Sequence, residues 1–272
     1  MPHYSDFALN VPKSFINLPE VVYAMPDLIT ISLVLLIGLV TGFFDSVIGA
    51  GGLISVPSLI FLGLPPQVAI ATDRFGLLGQ TFASLARFWK TKKIVWKYVP
   101  VFAVISLVGS LIGANMLLDT NPKILESIVG VLLFILLPLI FLRKDIGIKR
   151  VKMSPTKKII GFILYFFIMT FGAFFGQGTG PMIFYALTFF LGFTMLEVLA
   201  TNIIPWFVLS ISSLIIFAFN GIIDYRIGII LLIGMAAGGY IGAHVALKKG
   251  DVWVKRLFVL FVIVLGIKLL FF

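Results

Sequence analysis

Long apolar stretches, separated by short polar ones, cover most of the chain from residue 28 to its end. Their approximate bounds are 28–49, 52–64, 67–89, 98–118, 124–142, 159–177, 180–193, 197–220, 227–247 and 254–272. Most are close to the ~20 residues that a helix needs to cross a bilayer, but 52–64 and 180–193 have the shorter length typical of re-entrant or half-membrane segments. The pattern predicts an all-α, polytopic membrane protein.

The composition agrees with this prediction and excludes several kinds of site. The chain is 60% hydrophobic and 12% charged, whereas a soluble domain carries about 25% charged residues. It contains no cysteine and only two histidines, so disulfides and thiolate metal sites are excluded. A nucleophile–histidine–acid set is absent as well. We therefore expect no metal, no cofactor and no enzymatic activity.

The net charge of +10 is explained by membrane orientation better than by nucleic-acid binding. Most lysines and arginines lie in three short stretches, at 90–97, 143–158 and 248–256. Basic residues in short loops mark the cytoplasmic side of a membrane protein. We predict a multi-pass protein of the cell (inner) membrane with both termini outside the cytoplasm, and residues 1–27 form an extramembrane arm.

The stretch Asp45–Gly52 interrupts an otherwise continuous apolar run and contains three glycines. Glycine loosens a helix and bares backbone polar groups. Within a bilayer such groups are tolerated only inside the protein or along a wet cavity. This stretch therefore predicts a break in a membrane helix, and Gly49-Ala50-Gly51-Gly52 reappears as Gly178-Thr179-Gly180-Pro181.

The two breaks belong to a repeat with a constant offset, since 178 − 49 = 129. With the same offset, Phe61-Leu62-Gly63 matches Phe190-Leu191-Gly192, and Ala71-Thr72 matches Ala200-Thr201. We infer a duplication into repeat 1 and repeat 2, joined by a basic cytoplasmic linker. The bounds are 28–143 for repeat 1, 144–158 for the linker and 159–272 for repeat 2.

Charge indicates that the two five-segment halves have opposite orientations. The basic stretch 90–97 corresponds to 219–226, which is almost neutral, and the neutral stretch 119–123 corresponds to the basic 248–252. Opposite orientation predicts the inverted repeat of many secondary transporters. Each glycine break then lies either between two spanning segments or at the tip of a re-entrant hairpin, and both interpretations fit the sequence.

The breaks are the first candidates for a binding site, because helix ends expose N–H groups that bind anions. Close helix packing through small residues is the alternative interpretation. A stripe of small and polar residues along 67–89, repeated in the second half, faces the bundle interior. The substrate-binding candidates are Gly49, Gly51, Gly52, Thr72, Asp73, Arg74, Gln177, Gly178, Thr179, Gly180, Thr201 and Asn202.

Three ionisable residues fall within or beside these segments. Arg74 suits an anion with several oxygens, because its guanidinium makes forked hydrogen bonds; the alternative is a structural ion pair with Asp73 or Asp45. Intramembrane ionisable residues are functional candidates by default. Asp45 is a candidate proton carrier, or else a helix-end partner of Arg74.

Several of these motifs resemble the TauE/SafE sulfite exporter family. They are Gly42-Phe43-Phe44-Asp45-Ser46, Gly49 to Pro57, Leu62 to Pro66, Ala69 to Thr72 and Gly109 to Ala114. The resemblance covers nearly the whole chain from about residue 28. It implies a bacterial or archaeal inner-membrane carrier of sulfite, sulfonates or related sulfur anions. In the branch it resembles most, Thr-Asn-Lys is usual where this chain has Thr72-Asp73-Arg74.

Taken together, these features predict a secondary carrier, an exporter of small sulfur-containing anions. It works by alternating access and is coupled to a proton or sodium gradient. The alternative is an uncoupled anion channel that uses the same site. The expected partners are a small anionic substrate and the lipid bilayer, without nucleic acid; the sequence leaves the oligomeric state open, including a homo-oligomer.

Overall fold

A computed structural model describes residues 27–120, 147–175 and 179–271. This part of the chain is helical and contains no strand. The predicted segment 124–142 and the candidates Gln177 and Gly178 lie outside the described residues. The helices are α1 (Leu28–Ile48), α2 (Gly52–Phe61), α3 (Pro66–Phe88), α4 (Val99–Asp119), α5 (Pro155–Phe175), α6 (Gly180–Phe190), α7 (Met195–Phe219) and α8 (Tyr225–Phe271).

Helix lengths confirm a membrane protein with several apolar helices. Among the described residues, five helices are long and apolar enough to cross a bilayer, namely α1, α4, α5, α7 and α8. The helices α2 and α6 have only 10 and 11 residues, so the two segments predicted to be short are indeed short. Large apolar side chains such as Leu36, Val104 and Ile229 are exposed on the outside of the bundle, as lipid contact requires.

The eighth helix differs from the prediction, because it joins two segments that the sequence separates. Its helical stretches meet at Gly250, which has φ 82° and ψ 178°. One glycine with positive φ is enough to change the direction of the chain. The predicted loop at 248–252 is therefore reduced to a break at a single residue.

Local chemistry explains where several helices begin and end. The Asp27 side chain accepts a hydrogen bond from the Thr30 N–H at 2.9 Å at the start of α1, which holds the pKa of that carboxyl below its usual value. Thr194 and Glu197 form a reciprocal capping box at the start of α7.

Helix order and helix boundaries in the first part of the chain recur 129 residues later. Shifted by that offset, α2 spans 181–190 and α3 spans 195–217, against Gly180–Phe190 for α6 and Met195–Phe219 for α7. Gly63 and Gly192, which are related by the offset, both have positive φ directly after the short helix.

Close backbone contacts join the two parts. Along α1 and α8, a Cβ at Gly42 would lie 2.3 Å from the Met235 carbonyl oxygen, and one at Gly238 would lie 2.0 Å from that of Leu39. At the interface of α4 and α5, a Cβ at Gly113 would lie 2.1 Å from the Thr170 carbonyl oxygen. Small residues let membrane helices approach this closely.

Residues from all three basic stretches meet at the start of α7. The Met195 N–H donates to the Gly147 carbonyl at 2.8 Å, and Arg150 pairs with Glu197 at 3.0 Å. Asp251 accepts from the Leu196 N–H at 2.7 Å and pairs with Lys93 at 3.5 Å. We call this part of the molecule the basic end of the bundle.

Candidate functional site

The first glycine break is a short turn between α1 and α2. Gly49 ends α1 with φ 67°, and its N–H donates to the Asp45 carbonyl at 2.8 Å. The Gly51 N–H donates to Asp45 Oδ1 at 3.1 Å. The Asp45 carboxylate therefore lies at the N-terminus of α2, where the helix dipole favours an anion.

The second break touches the first. Gly180 begins α6, and a Cβ on it would lie 1.7 Å from the carbonyl oxygen of Gly49. The structure therefore brings together two glycines that are 131 residues apart in the sequence, since 180 − 49 = 131. It also confirms that close packing operates here, so a larger residue at Gly180 would disrupt the contact between the breaks.

Contacts around the second break describe a helical hairpin. At the basic end, the Val151 N–H before α5 donates to the Gly192 carbonyl after α6 at 3.0 Å. Gly161 on α5 packs against Phe190 and Leu191 at the end of α6. The helix α5 leaves this end and α6 returns to it. The second break therefore has the geometry of a hairpin tip and not of a break between two spanning segments.

A cavity of about 50 Å³ lies beside both breaks. Its lining runs along α3 from Leu77 to Phe88 and along α7 from Trp206 to Val198. Since α3 ends and α7 begins at the basic end, the cavity extends towards that end. The polar and glycine residues among its lining are Asp45, Ser46, Gly49, Gln80, Ser84, Gly180 and Asn202.

Hydrogen bonds fix one polar wall of the cavity. The hydroxyls of Ser46 and Ser84 are 2.6 Å apart, and the Gln80 amide donates to Ser46 at 2.9 Å. Ser84 in turn donates to the Gly239 carbonyl at 3.2 Å. This network ties α1 and α3 to α8 and presents hydroxyl and amide groups to the cavity.

Arg74 is fully buried behind the inner end of the cavity. Its guanidinium lies 5.4 Å from the centre of the Trp206 ring, and Trp206 also lines the cavity. Nη2 donates to the Gly172 carbonyl at 2.5 Å, whereas Nε and Nη1 have no hydrogen-bond partner. Among the described residues, no ion pair within 4.0 Å joins Arg74 to Asp73 or Asp45.

Thr179 approaches the same place from the second break. A Cβ on Gly172 would lie 3.0 Å from Thr179 Oγ1 and 3.1 Å from the Trp206 ring, so the absence of a side chain at Gly172 makes room for both. Thr179 is fully buried, precedes α6, and its hydroxyl has no partner. Arg74 and Thr179 thus bring unpaired donors to one helix N-terminus.

The candidates next to Arg74 and in the second half have defined partners. Asp73 is buried and accepts a short hydrogen bond from Ser55. Asn202 lines the cavity, and its carbonyl oxygen accepts from the Tyr165 hydroxyl. That bond leaves the Asn202 amino group as a donor for a ligand.

The two predicted threonines lie at joints between elements and are not among the cavity-lining residues. Thr72 Oγ1 accepts from the Asp224 N–H at 3.0 Å. Thr201 Oγ1 accepts from the Val95 N–H, also at 3.0 Å. Gly51 is likewise packed, since a Cβ there would lie 2.6 Å from Asp45 Cβ, and Gly52 is buried at the start of α2.

Sequence reasoning missed Trp206 and Gly172. Trp206 follows the candidate Asn202 by about one helical turn, and that spacing was the available signal. The sequence contained no signal for Gly172, because a single glycine in an apolar helix is most often a packing residue. No group of three or more histidine, aspartate or glutamate side chains comes together within the ranges that the structure describes.

Residues 34–269 match the family described as Sulfite exporter TauE/SafE. Because this match covers most of the chain, the protein belongs to that family. No solved structure matches it significantly.

Curated relatives bear out a transporter class. A "Probable membrane transporter protein" of Haemophilus influenzae is 22% identical over 86% of this chain and 92% of its own length. "Probable membrane transporter protein YfcA" of Escherichia coli K12 is 26% identical over 86% of this chain and 87% of its own. A Bacillus subtilis relative, YjnA, carries the same description and is 23% identical over 87% and 98% of the two chains. The chain is thus a member of a membrane transporter family.

Proposed function

We propose that this protein is a secondary carrier that exports small sulfur-containing anions, such as sulfite or organosulfonates, across the cell (inner) membrane. The observation that carries the proposal is Arg74, a fully buried cation with two guanidinium nitrogens unpaired. Buried donors without acceptors are costly, most of all on a charged group. A bound anion would accept hydrogen bonds from both nitrogens.

The surroundings of Arg74 suit an anion with several oxygens. A guanidinium donates two parallel hydrogen bonds to such a group. Thr179 adds a hydroxyl, and the start of α6 adds backbone N–H groups and the positive end of a helix dipole. The tetrahedral or pyramidal oxygens of a sulfonate or sulfite accept from several directions at once, which matches this set of donors.

Reciprocal hydrogen bonds support an inverted repeat. Thr72 and Thr201 differ by 129 positions, and so do their donors Val95 and Asp224. Each half therefore uses its threonine to hold the same backbone position of the other half. A two-fold relation between the halves requires such exchanged contacts, and inverted repeats of this kind underlie alternating access in many carriers.

Orientation and conformation follow from the basic end. Basic residues mark the cytoplasmic side, so the basic end faces the cytoplasm, and both termini lie outside it. The cavity then opens towards the cytoplasm, with Trp206 between it and Arg74. In the alternating-access cycle, rocking of the hairpins exposes the Arg74 site to either side in turn, coupled to an ion gradient.

Flux in proteoliposomes tests the proposal. Purified protein is reconstituted and assayed with sulfite, thiosulfate, sulfoacetate and taurine, with acetate as the sulfur-free comparison. A carrier gives saturable uptake and counter-exchange of labelled against unlabelled anion. Electrodiffusive current without counter-exchange would instead identify the uncoupled channel, and absence of flux for every sulfur anion would refute the substrate class.

A further inference from the structure

A second polar cluster lies at the first break, and the proposed anion site does not use it. Gly51 is at its centre: its N–H donates to Asp45 Oδ1, and its carbonyl lies 3.5 Å from Ser55 Oγ. Ser55 also donates a short hydrogen bond to Asp73 Oδ1. A Cβ on Gly51 would lie 2.9 Å from Thr41 Cγ2, so Thr41 packs against the same glycine.

Two side-chain oxygens here are buried without a hydrogen-bond partner: Asp73 Oδ2, and Oγ1 of Thr41, whose methyl group packs against Gly51. Both side chains are fully inaccessible to solvent. Leaving such groups unsatisfied costs about 1–3 kcal/mol each, and more when the group is charged. These two oxygens therefore point to a missing partner that attracts lone pairs.

The charges of these side chains agree with that geometry. Asp45 lies within electrostatic range of both Asp73 and Arg74. When all three are ionised, two negative charges face one positive charge, and the set carries a net charge of −1. One monovalent cation restores neutrality in a place where uncompensated charge is expensive.

The second half has no such cluster. Under the offset of 129, Asp45 corresponds to Phe174, Ser55 to Phe184 and Asp73 to Asn202. Packing of glycines and helices recurs in both halves, and Thr41 has a counterpart in Thr170, whereas the two carboxylates and the Ser55 hydroxyl occur once. A role in holding the repeat together does not explain this asymmetry, and a single ion site in each chain does.

We propose that Asp45, Asp73, Ser55 and Thr41 bind one sodium ion at the first break. All four supply oxygen, and Na⁺, a hard cation, is suited to oxygen ligands. A proton on Asp73 would neutralise the same charge, and thermal unfolding separates the two because a proton gives no dependence on sodium at fixed pH.

The binding step stands by itself, and only its coupling to anion movement rests on the proposed function. Thermal unfolding of the purified full-length chain in detergent measures binding at fixed pH and ionic strength, with NaCl replacing choline chloride and no sulfur anion present. We expect NaCl to raise the melting temperature saturably. KCl serves as the comparison for another monovalent cation.

Variants assign the effect to the cluster. Asp73→Asn and Ser55→Ala should each lose the sodium-dependent shift, and Thr41→Val should reduce it. Ser58→Ala is the matched control, because Ser58 lies one turn further along α2 and donates only to the Ile54 carbonyl; it should keep the full shift. If Asp73→Asn does not fold, Ser55→Ala and Thr41→Val decide the question.

Equal melting temperatures of the wild type in NaCl and choline chloride would overturn the proposal. So would a sodium shift that survives in folded Ser55→Ala and Asp73→Asn. Because no sulfur anion is present, a positive sodium result together with failed anion flux would refute the proposed function alone. The reverse outcome would refute the sodium site alone.

Discussion

Thr72 Oγ1 accepts a hydrogen bond from the backbone N–H of Asp224 at 3.0 Å, although the two residues are 152 positions apart. The bond joins the first third of α3 to the loop before α8. Its counterpart, from Val95 to Thr201, joins α7 to the loop before α4 at the same distance. The two hydrogen bonds are related by the offset of 129 residues. Each half therefore holds a loop of the other half at the equivalent position.

Thr72→Val and Thr201→Val should therefore destabilise the protein to a similar extent. Each leaves a part-buried N–H without its acceptor, at a cost of up to about 1–3 kcal/mol. Thr72→Ser and Thr201→Ser should keep most of the stability. Ser210→Ala is the control, because the Ser210 hydroxyl is buried without a partner. Thermal unfolding in detergent gives the comparison, and a large effect at only one threonine would contradict the symmetric joint.

The absence of cysteine from the chain allows a direct topology test. Single cysteines at Lys92, Lys152 and Lys249 should resist an impermeant thiol reagent added to intact cells, because the proposed orientation puts the basic end in the cytoplasm. A cysteine at Thr120 should react. Each variant is labelled again after permeabilisation to show that its thiol is accessible. Strong labelling of Lys152→Cys in intact cells would contradict the orientation.

Gly180→Ala should reduce the yield of folded protein. The added Cβ would fall 1.7 Å from the Gly49 carbonyl oxygen, and overpacking of this kind typically costs 1–3 kcal/mol or more. Gly228→Ala is a milder control, because its nearest neighbour is the Phe75 ring at 2.9 Å. Size-exclusion profiles and thermal unfolding measure the difference. Wild-type yield and stability for Gly180→Ala would show that the breaks do not pack against each other.

The sequence was sufficient for the features that depend on local chemistry. Glycines and an acid within an apolar run predicted the break at Gly49, and the shortness of 52–64 predicted α2. Packing decided the rest. Arg74 meets Gly172, which is 98 residues away, and no periodicity encodes that contact. The sequence of 248–252 likewise does not predict that the chain changes direction at Gly250 alone and stays helical on both sides.

Trp206 should report on anion binding through its contact with Arg74. A guanidinium that turns towards a bound anion changes its interaction with the ring, which is an electrostatic contact. Sulfite should therefore alter the intrinsic fluorescence of the protein. Trp206→Phe should remove the change while the other three of the four tryptophans remain. An undiminished change in Trp206→Phe would place the anion elsewhere.

Sulfite binding to Arg74 variants tests the account most directly, by calorimetry on detergent-purified protein. The wild type should bind one anion per chain. Arg74→Lys should bind at least about tenfold more weakly. Lysine cannot make the paired hydrogen bonds of a guanidinium, and charged hydrogen bonds of this kind contribute about 1.5–3 kcal/mol. Arg74→Ala should not bind, while Arg87→Lys, a control outside the site, should bind normally. Wild-type affinity in folded Arg74→Ala would contradict the account.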